Sequence, residues 1–440
     1  MSPDVVVVMV IALFLVFLAL EMPVSWALAT SGGIGLISLQ GISVTQSSLA
    51  AIPYSTTAVF SLTVVPMFIL MGSFALHGHI AEQLFNVAER TIGRISGGLG
   101  IATVVACAGF AAVTGSSLAT AATVGRIAVG EMRQHGYQAH FAVGIVAAAG
   151  TLGAMIPPSV LLVIYGIITG EQIGALLIAG IIPGIISAGF YIVYIVVRGR
   201  HFIEPSKATE EKRPVGGPLP YRALFRAALL FAIVIGGIYS GVFTATESGA
   251  LGALTAFVLM VVELRRDGFA VIRRRLGDAL REAASITSMS FAILVGAGIF
   301  TAFLVSARVP TRFTAWALGL DAEPWVVLVM ILLIMIPFGM ALDPLSILVI
   351  TMPLAYPVVT SLGFDGVWFG ILVIKMIELG LITPPVGVNV YIVAGTVPGV
   401  TAEQGFRGVL PFGLVDLATV AVFFTFPALV LWLPGRAGLL

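Results

Sequence analysis

The chain is written in long apolar blocks separated by short polar connections. A helix crossing a ~30 Å hydrocarbon core needs about 20 residues. Blocks of that order run over 5–20, 24–39, 57–76, 140–169, 173–197, 223–243, 247–264, 283–305, 366–396 and 410–433, and each predicts a membrane-spanning helix. Two further blocks, 99–130 and 324–360, are interrupted halfway, at Thr114-Gly115-Ser116-Ser117 and at Ala341-Leu342-Asp343-Pro344. Each half is short for a crossing, so the pattern predicts two re-entrant helical hairpins. Non-helical backbone at membrane depth is tolerated only where protein or a polar cavity surrounds it. The strands of a membrane barrel would alternate with period two, which these blocks do not. The first block, Val5–Leu20, lacks a basic leader and a small-residue cleavage site and is expected to be the first membrane helix.

Composition narrows the class further. Hydrophobic residues make up 59% of the 440 and charged ones 10%, against roughly 25% charged in soluble chains. The mean hydropathy is +1.10. Soluble enzyme, coiled coil and disordered chain are excluded, leaving an all-α polytopic membrane protein with lipid as its solvent and no nucleic-acid partner.

Basic residues set the orientation. One polar stretch holds Arg198, Arg200, Lys207, Lys212, Arg213, Arg222 and Arg226; the next, 265–281, holds Arg265, Arg266, Arg273, Arg274, Arg275 and Arg281. Two spans separate these stretches, so both face the cytoplasm together. That threading puts 17 of the 22 basic residues inside, leaves Arg308, Arg312 and Arg436 outside, and buries Arg126 and Lys375 in membrane segments. Both termini then lie outside. Hairpin 99–130 enters from the cytoplasm and hairpin 324–360 from the opposite side.

The chain also repeats itself. Gly153-Ala154-Met155-Ile156-Pro157-Pro158 aligns with Gly380-Leu381-Ile382-Thr383-Pro384-Pro385 at an offset of 227. The same offset pairs Gly136-Tyr137 with Gly363-Phe364, Phe141 with Trp368, and Gly115-Ser116 with Leu342-Asp343. The two Pro-Pro helices run in opposite directions in this threading, which makes the repeat inverted. One membrane domain, 1–440, is expected to comprise a first repeat over 1–198, a cytoplasmic linker over 199–222 and a second repeat over 223–433.

Inverted repeats with broken helices are the architecture of secondary transporters, with ions and substrate near the midplane. Each Pro-Pro removes backbone donors and leaves carbonyls without partners. A hairpin tip facing each break adds hydroxyls and carbonyls, an oxygen cage of the kind a hard cation such as Na⁺ takes. Small hydroxylated residues also pack helices and bond their own i−4 carbonyls, so Ser116, Ser117 and Thr120 are ambiguous alone. Asp343 is less so, since a carboxylate within a membrane segment is functional by default, as ion ligand or proton carrier. Lys375 and Glu378 share a helix face and read as an ion pair or as a substrate or coupling contact.

Other signals point nowhere. His77-x-His79 has no third ligand nearby, and Gly32-Gly33-x-Gly35 lacks the strand–turn–helix setting of a dinucleotide site. No Gly-Lys-Ser/Thr, His-Glu-x-x-His or Thr-Val-Gly-Tyr-Gly occurs, so nucleotide-driven pump, zinc protease and potassium channel lack their parts. The single cysteine, Cys107, lies in an apolar stretch and reads as a small core residue. No enzyme activity is expected.

Several motifs together resemble one family. They are Gly150-Thr151-Leu152-Gly153-Ala154-Met155-Ile156-Pro157-Pro158-Ser159 with Ile164-Tyr165-Gly166; Gly93-Arg94 with Gly97-Gly98; Thr114-Gly115-Ser116-Ser117-x-Ala119-Thr120; Pro183-Gly184; and Glu378-x-Gly380-Leu381-Ile382-Thr383-Pro384-Pro385-Val386-Gly387-x-Asn389. The resemblance is to the large membrane subunit of tripartite ATP-independent periplasmic (TRAP) transporters and covers roughly residues 5–433. Ala245 stands where the family usually has proline, and Val129-Gly130-Glu131-Met132 lacks a proline often found before that methionine.

The resemblance implies an elevator-type importer of the bacterial inner membrane, driven by a sodium gradient, with both termini periplasmic. It implies two partners, a periplasmic solute-binding protein and a small four-helix membrane subunit, and a substrate that is a small organic anion bearing a carboxylate. By motif, one sodium site would use Gly115, Ser116, Ser117, Gly153 and Pro157; the other Asp343, Gly380, Thr383 and Pro385. The substrate would meet Ser117, Ser159, Thr383 and Asn389. A stand-alone sodium–dicarboxylate symporter or sodium–proton antiporter of related architecture is the alternative. The orientation is testable with Cys107 replaced by alanine and single cysteines placed at Ser47, Ser206 and Ala437. An impermeant thiol reagent on intact cells is expected to label Ser47→Cys and Ala437→Cys only; labelling at Ser206→Cys would invert the topology.

Overall fold

The computed structural model describes residues 2–93, 97–203 and 221–439. Arg94, Lys207, Lys212, Arg213 and most of the expected linker lie outside them. No strand forms among the described residues; an isolated bridge joins Tyr137 to Ile203.

The first repeat opens with α1 (Pro3–Ala19), α2 (Val24–Gln40), α3 (Ile42–Thr57), α4 (Val64–His77) and α5 (Ile80–Ile92). It continues through α6 (Gly98–Thr114), α7 (Ser117–Gln134), α8 (Ala139–Met155), α9 (Val160–Thr169), α10 (Ile173–Ala179) and α11 (Ile181–Arg198). The second begins with α12 (Tyr221–Phe231), which passes through a π turn at Ala232–Gly236 into α13 (Gly237–Tyr239). Then follow α14 (Ala245–Leu264), α15 (Phe269–Ser306), α16 (Val309–Leu318), α17 (Pro324–Ala341) and α18 (Pro344–Ser361). The chain closes with α19 (Gly366–Ile382), α20 (Val388–Thr396), α21 (Ala402–Thr425) and α22 (Ala428–Arg436).

Seven helical segments among the described residues are long and apolar enough to cross a membrane, or eight if α8 and α9, bent by 44° at their break, count as one. α17 and α18, the hairpin halves expected to be short for a crossing, are two of the seven, whereas the expected spans 5–20, 24–39, 223–243 and 366–396 are not among them. Three segments expected as connections are helical. α5 buries Ile80, Ala81, Leu84, Phe85 and Ala88 along one face and exposes the other, the mark of an amphipathic helix. α3 and α16 replace the short loops expected around 40–56 and 306–323. α15 runs straight through the basic stretch, because its arginines are good helix formers and no proline interrupts them.

The shift of 227 carries helix onto helix. Adding it to the bounds of α8 gives 366–382, the bounds of α19; α7 maps to 344–361, the bounds of α18; α6 and α9 map within one residue onto α17 and α20. The packing obeys the same rule. α2 lies along α15 while α14 lies along α4, and α7 touches α20 while α18 touches α9. Such an exchange of partners is what an internal twofold demands. Its centre is where α8 meets α19, helices buried over nearly their whole length.

Close helix crossings rely on glycine. A Cβ on Gly339 of α17 would sit 2.7 Å from Gly380 Cα of α19, leaving no side chain room to move aside. Gly339→Leu is therefore expected to lower stability by more than ~3 kcal/mol and to abolish the monodisperse size-exclusion peak. Gly277→Ala, which meets nothing within 4 Å, is the control expected to behave as wild type.

Candidate functional site

Four helices stop inside the protein: α6 at Thr114, α8 at Met155, α17 at Ala341 and α19 at Ile382. The helices that follow need caps for their free N–H groups. Ser116 accepts from Ala119 N at 3.3 Å, and Ser159 from Leu162 N at 3.3 Å. Asp343 accepts from Leu345 N and Ser346 N at 3.1 Å each, and the Ser346 hydroxyl donates to its other oxygen. Asp343 is thus the N-cap of α18, a half-buried carboxylate at the positive end of a helix. Gly387 opens α20 at φ +49° with no side-chain cap.

The first tip sits against the first break. A Cβ on Gly153 would meet Ser116 O at 2.6 Å and Ser117 N at 2.9 Å, and one on Gly115 would overlap the Pro158 carbonyl. Glycine at both positions lets the Ser116–Ser117 backbone approach α8 and the Pro158 carbonyl approach the tip. Pro157 precedes a cis peptide to Pro158, as Pro384 does to Pro385. In the second repeat, Gly380 packs on Gly339, while Thr383 donates to its own helix at Leu379 O, 2.6 Å away. Pro385 is exposed.

Both tips line one cavity of about 350 Å³, which takes in Ser116, Ser117 and Asp343. The rest of its wall comes from the start of α9 and from α4 and α15, including Ser73 and Glu282. Ser73 donates to Glu282 at 2.7 Å, and His77 Nδ1 lies 3.5 Å from the same carboxylate. The tip end of the cavity is therefore acidic. Ser159, Thr383 and Asn389 do not line it. Ser159 is fully buried and donates to Ala154 O; Asn389 is fully buried and donates to Ala147 O at 3.3 Å, leaving its Oδ1 unpartnered. Leu76 also borders a second cavity of about 320 Å³, with His77, His79, Glu82, Thr123, Arg126 and Arg275 in its wall.

A buried polar knot lies behind the first tip. Ser117 Oγ donates to Thr151 O at 3.4 Å, and the Thr151 hydroxyl lies 3.3 Å from Tyr191 Oη. Tyr191 donates to Asp416 at 2.7 Å. Lys375 reaches Asp416 at 2.7 Å and Glu378 at 3.3 Å. Lys375, Glu378 and Asp416 are entirely shielded from solvent, and one oxygen on each carboxylate has no partner. The Lys375–Glu378 pairing was legible in the sequence. Asp416 was missed, although a lone carboxylate within the apolar block 410–433 was signal enough.

Removing the cation from this knot leaves two carboxylates buried together. Lys375→Met is expected to cost ~3–5 kcal/mol, read as a lowered thermal unfolding midpoint in detergent. Adding Glu378→Gln and Asp416→Asn to it is expected to recover most of the loss. An unchanged midpoint in the single variant would show that the knot contributes nothing to stability.

A family model described as "Tripartite ATP-independent periplasmic transporter, DctM component" matches residues 11–429. The chain is 34% identical over 419 residues to the C4-dicarboxylate TRAP transporter large permease protein DctM of Pseudomonas aeruginosa, covering 94% of this chain and 95% of that one. It is 30% identical over 431 residues to the isethionate TRAP transporter permease protein DctMQ of Oleidesulfovibrio alaskensis, covering 96% of this chain and 65% of that one. Among solved structures, the Alcanivorax borkumensis YdaH transporter, described as having an unusual topology, superposes with a TM-score of 0.65 at 13% identity, over 89% of this chain and 90% of that one. That likeness is one of fold.

Proposed function

The chain belongs to the DctM component family of tripartite ATP-independent periplasmic transporters, and from that premise we propose that it imports a small organic anion across the inner membrane together with sodium moving down its gradient. It is a multi-pass membrane protein with a transport role rather than a catalytic one. The observation that supports this reading best is the meeting of both hairpin tips, Ser117 from one repeat and Asp343 from the other, in a single cavity.

The electrostatics of that cavity explain why an anion needs cations. The starts of α7, α9 and α18 all border it, and helix N-termini favour negative charge. Asp343 from the second tip and Glu282 from α15 oppose it. A carboxylate entering alone would face two others in a largely apolar enclosure. Cations seated first beside the tips would cancel that repulsion and leave the helix ends to hold the anion. The Ser116 and Pro158 carbonyls and the Ser117 hydroxyl would supply oxygen donors suited to sodium, and Asp343 would supply a charged oxygen on the other side. Sodium and anion then depend on each other for entry, which is coupling in its simplest form.

The opposite wall suggests how the load moves. The tips belong to the α6–α9 and α17–α20 group built around α8 and α19, whereas α4 and α15 belong to the group joined by the α2–α15 and α14–α4 contacts. Translation of the first group past α4 and α15, as in an elevator, would carry tips, ions and anion together. The periplasmic solute-binding protein would deliver the anion, and the small membrane subunit would brace the α2–α15 and α14–α4 group.

The test is uptake of radiolabelled succinate and related acids into proteoliposomes under an imposed sodium gradient. The full complex is compared with preparations lacking the binding protein or the small subunit. Ser117→Ala and Asp343→Asn are expected to lower the initial rate by at least about tenfold. Asparagine caps a helix as well as aspartate does, so the second change removes the charge and keeps the cap. Uptake by this chain alone at full rate would favour the stand-alone symporter, and uptake that follows a proton gradient but ignores sodium would overturn the sodium reading.

A further inference from the structure

The second cavity has the opposite charge to the first. Arg126 of α7 and Arg275 of α15 face into it, and among the described residues neither guanidinium has a hydrogen-bond or ion-pair partner. The other charged groups in its wall are engaged. Glu82 is held by His79 at 3.2 Å, and His77 Nδ1 is bound to Ser73 O at 3.0 Å. Two arginines therefore line one concavity whose one carboxylate, Glu82, is bonded to His79 and to neither guanidinium. Each presents a planar fork of donors that matches a carboxylate.

We propose that Arg126 and Arg275 form a second anion-binding site, which takes the carboxylate of a small organic acid as it passes between the tip cavity and the face bearing the basic stretch 265–281. The inference rests on the reading that the cargo is such an acid. Arg126 lies nine residues beyond Ser117 on α7, about 14 Å along the helix axis. The two cavities share only Leu76 in their walls, so this is a separate site. The acidic tip cavity and the basic outer cavity form a gradient of potential along the route. Once the tip ions leave, Asp343 and Glu282 repel the anion and the two arginines receive it. One guanidinium rides on the hairpin and the other on α15, so a bound anion would also bridge the two helix groups in this conformation.

The experiment places a cysteine at Thr123, in the wall of the outer cavity, in a Cys107→Ala background and follows its labelling by a maleimide. The full-length chain is held in phosphatidylcholine nanodiscs, where both faces are accessible. Succinate is the probe, with inorganic phosphate as a second anion and phosphatidylglycerol nanodiscs as the lipid arm. Succinate is expected to slow labelling at least about fivefold and saturably. R126Q/R275Q should raise the half-protecting concentration at least about tenfold, in line with the loss of charge-assisted hydrogen bonds. R126K/R275K, which keeps the charge and guards against misfolding, should raise it less. Protection that is equal in wild type and R126Q/R275Q would overturn the proposal. So would its absence with succinate, or protection given only by phosphatidylglycerol. The measurement is made at equilibrium without a gradient, so a failure of sodium-driven uptake would strike the proposed function and leave this result to stand or fall separately.

Discussion

A helix that ends in an apolar interior must hand its free backbone groups to something, and this protein ends four helices there. That constraint organises the rest of the molecule. N–H groups at the starts of α7, α9 and α18 go to Ser116, Ser159 and Asp343. The carbonyls set free at the first break crowd against the first tip, which glycines at 115 and 153 allow to approach. Breaks of this kind survive only where other protein surrounds them. Each hairpin and its broken helix are therefore packed as a unit, and the two units meet where α8 crosses α19.

Charge inside such a structure has to be placed with equal care. The deepest charges, Lys375, Glu378 and Asp416, are drawn from two helices of the second repeat and tied to the first through Tyr191 and Thr151. In an apolar medium these contacts are strong, and any one of them missing would strand its partner. The knot lies one hydrogen-bonded step behind Ser117, which lines the tip cavity. Tip and knot are thus joined by hydrogen bonds within one helix group, while the α4–α15 wall across the cavity belongs to the other.

The two cavities show how the same few residue types give opposite environments. Carboxylates at Asp343 and Glu282 sit where helix ends supply positive potential, and arginines at 126 and 275 sit farther out, where carboxylate partners are taken by histidines. Permanent charges of one sign fixed at each end leave mobile ions to complete the balance. A transporter gains from this, because cargo that completes a balance at one place can be released by breaking it at another.

Much of the architecture was legible in the sequence because it depends on short-range rules. Pro-Pro and Gly-Ser fix where helices break, and the offset of 227 later carried helix bounds onto helix bounds almost residue for residue. The family motifs identified the transporter class for the same reason. Other features depend on which helices meet. Ser159 and Asn389 turned into the interior, because the packing of α8 against its neighbours leaves them no path to the cavity. Asp416 pairs with Lys375 across two helices whose approach no spacing along the chain encodes, and Arg126 and Arg275 share a cavity although 149 positions separate them. Local sequence determines where a helix starts, stops and hides its apolar face. Only tertiary packing decides which charges, caps and hydroxyls face one another, since that depends on distances between elements that the chain itself leaves open.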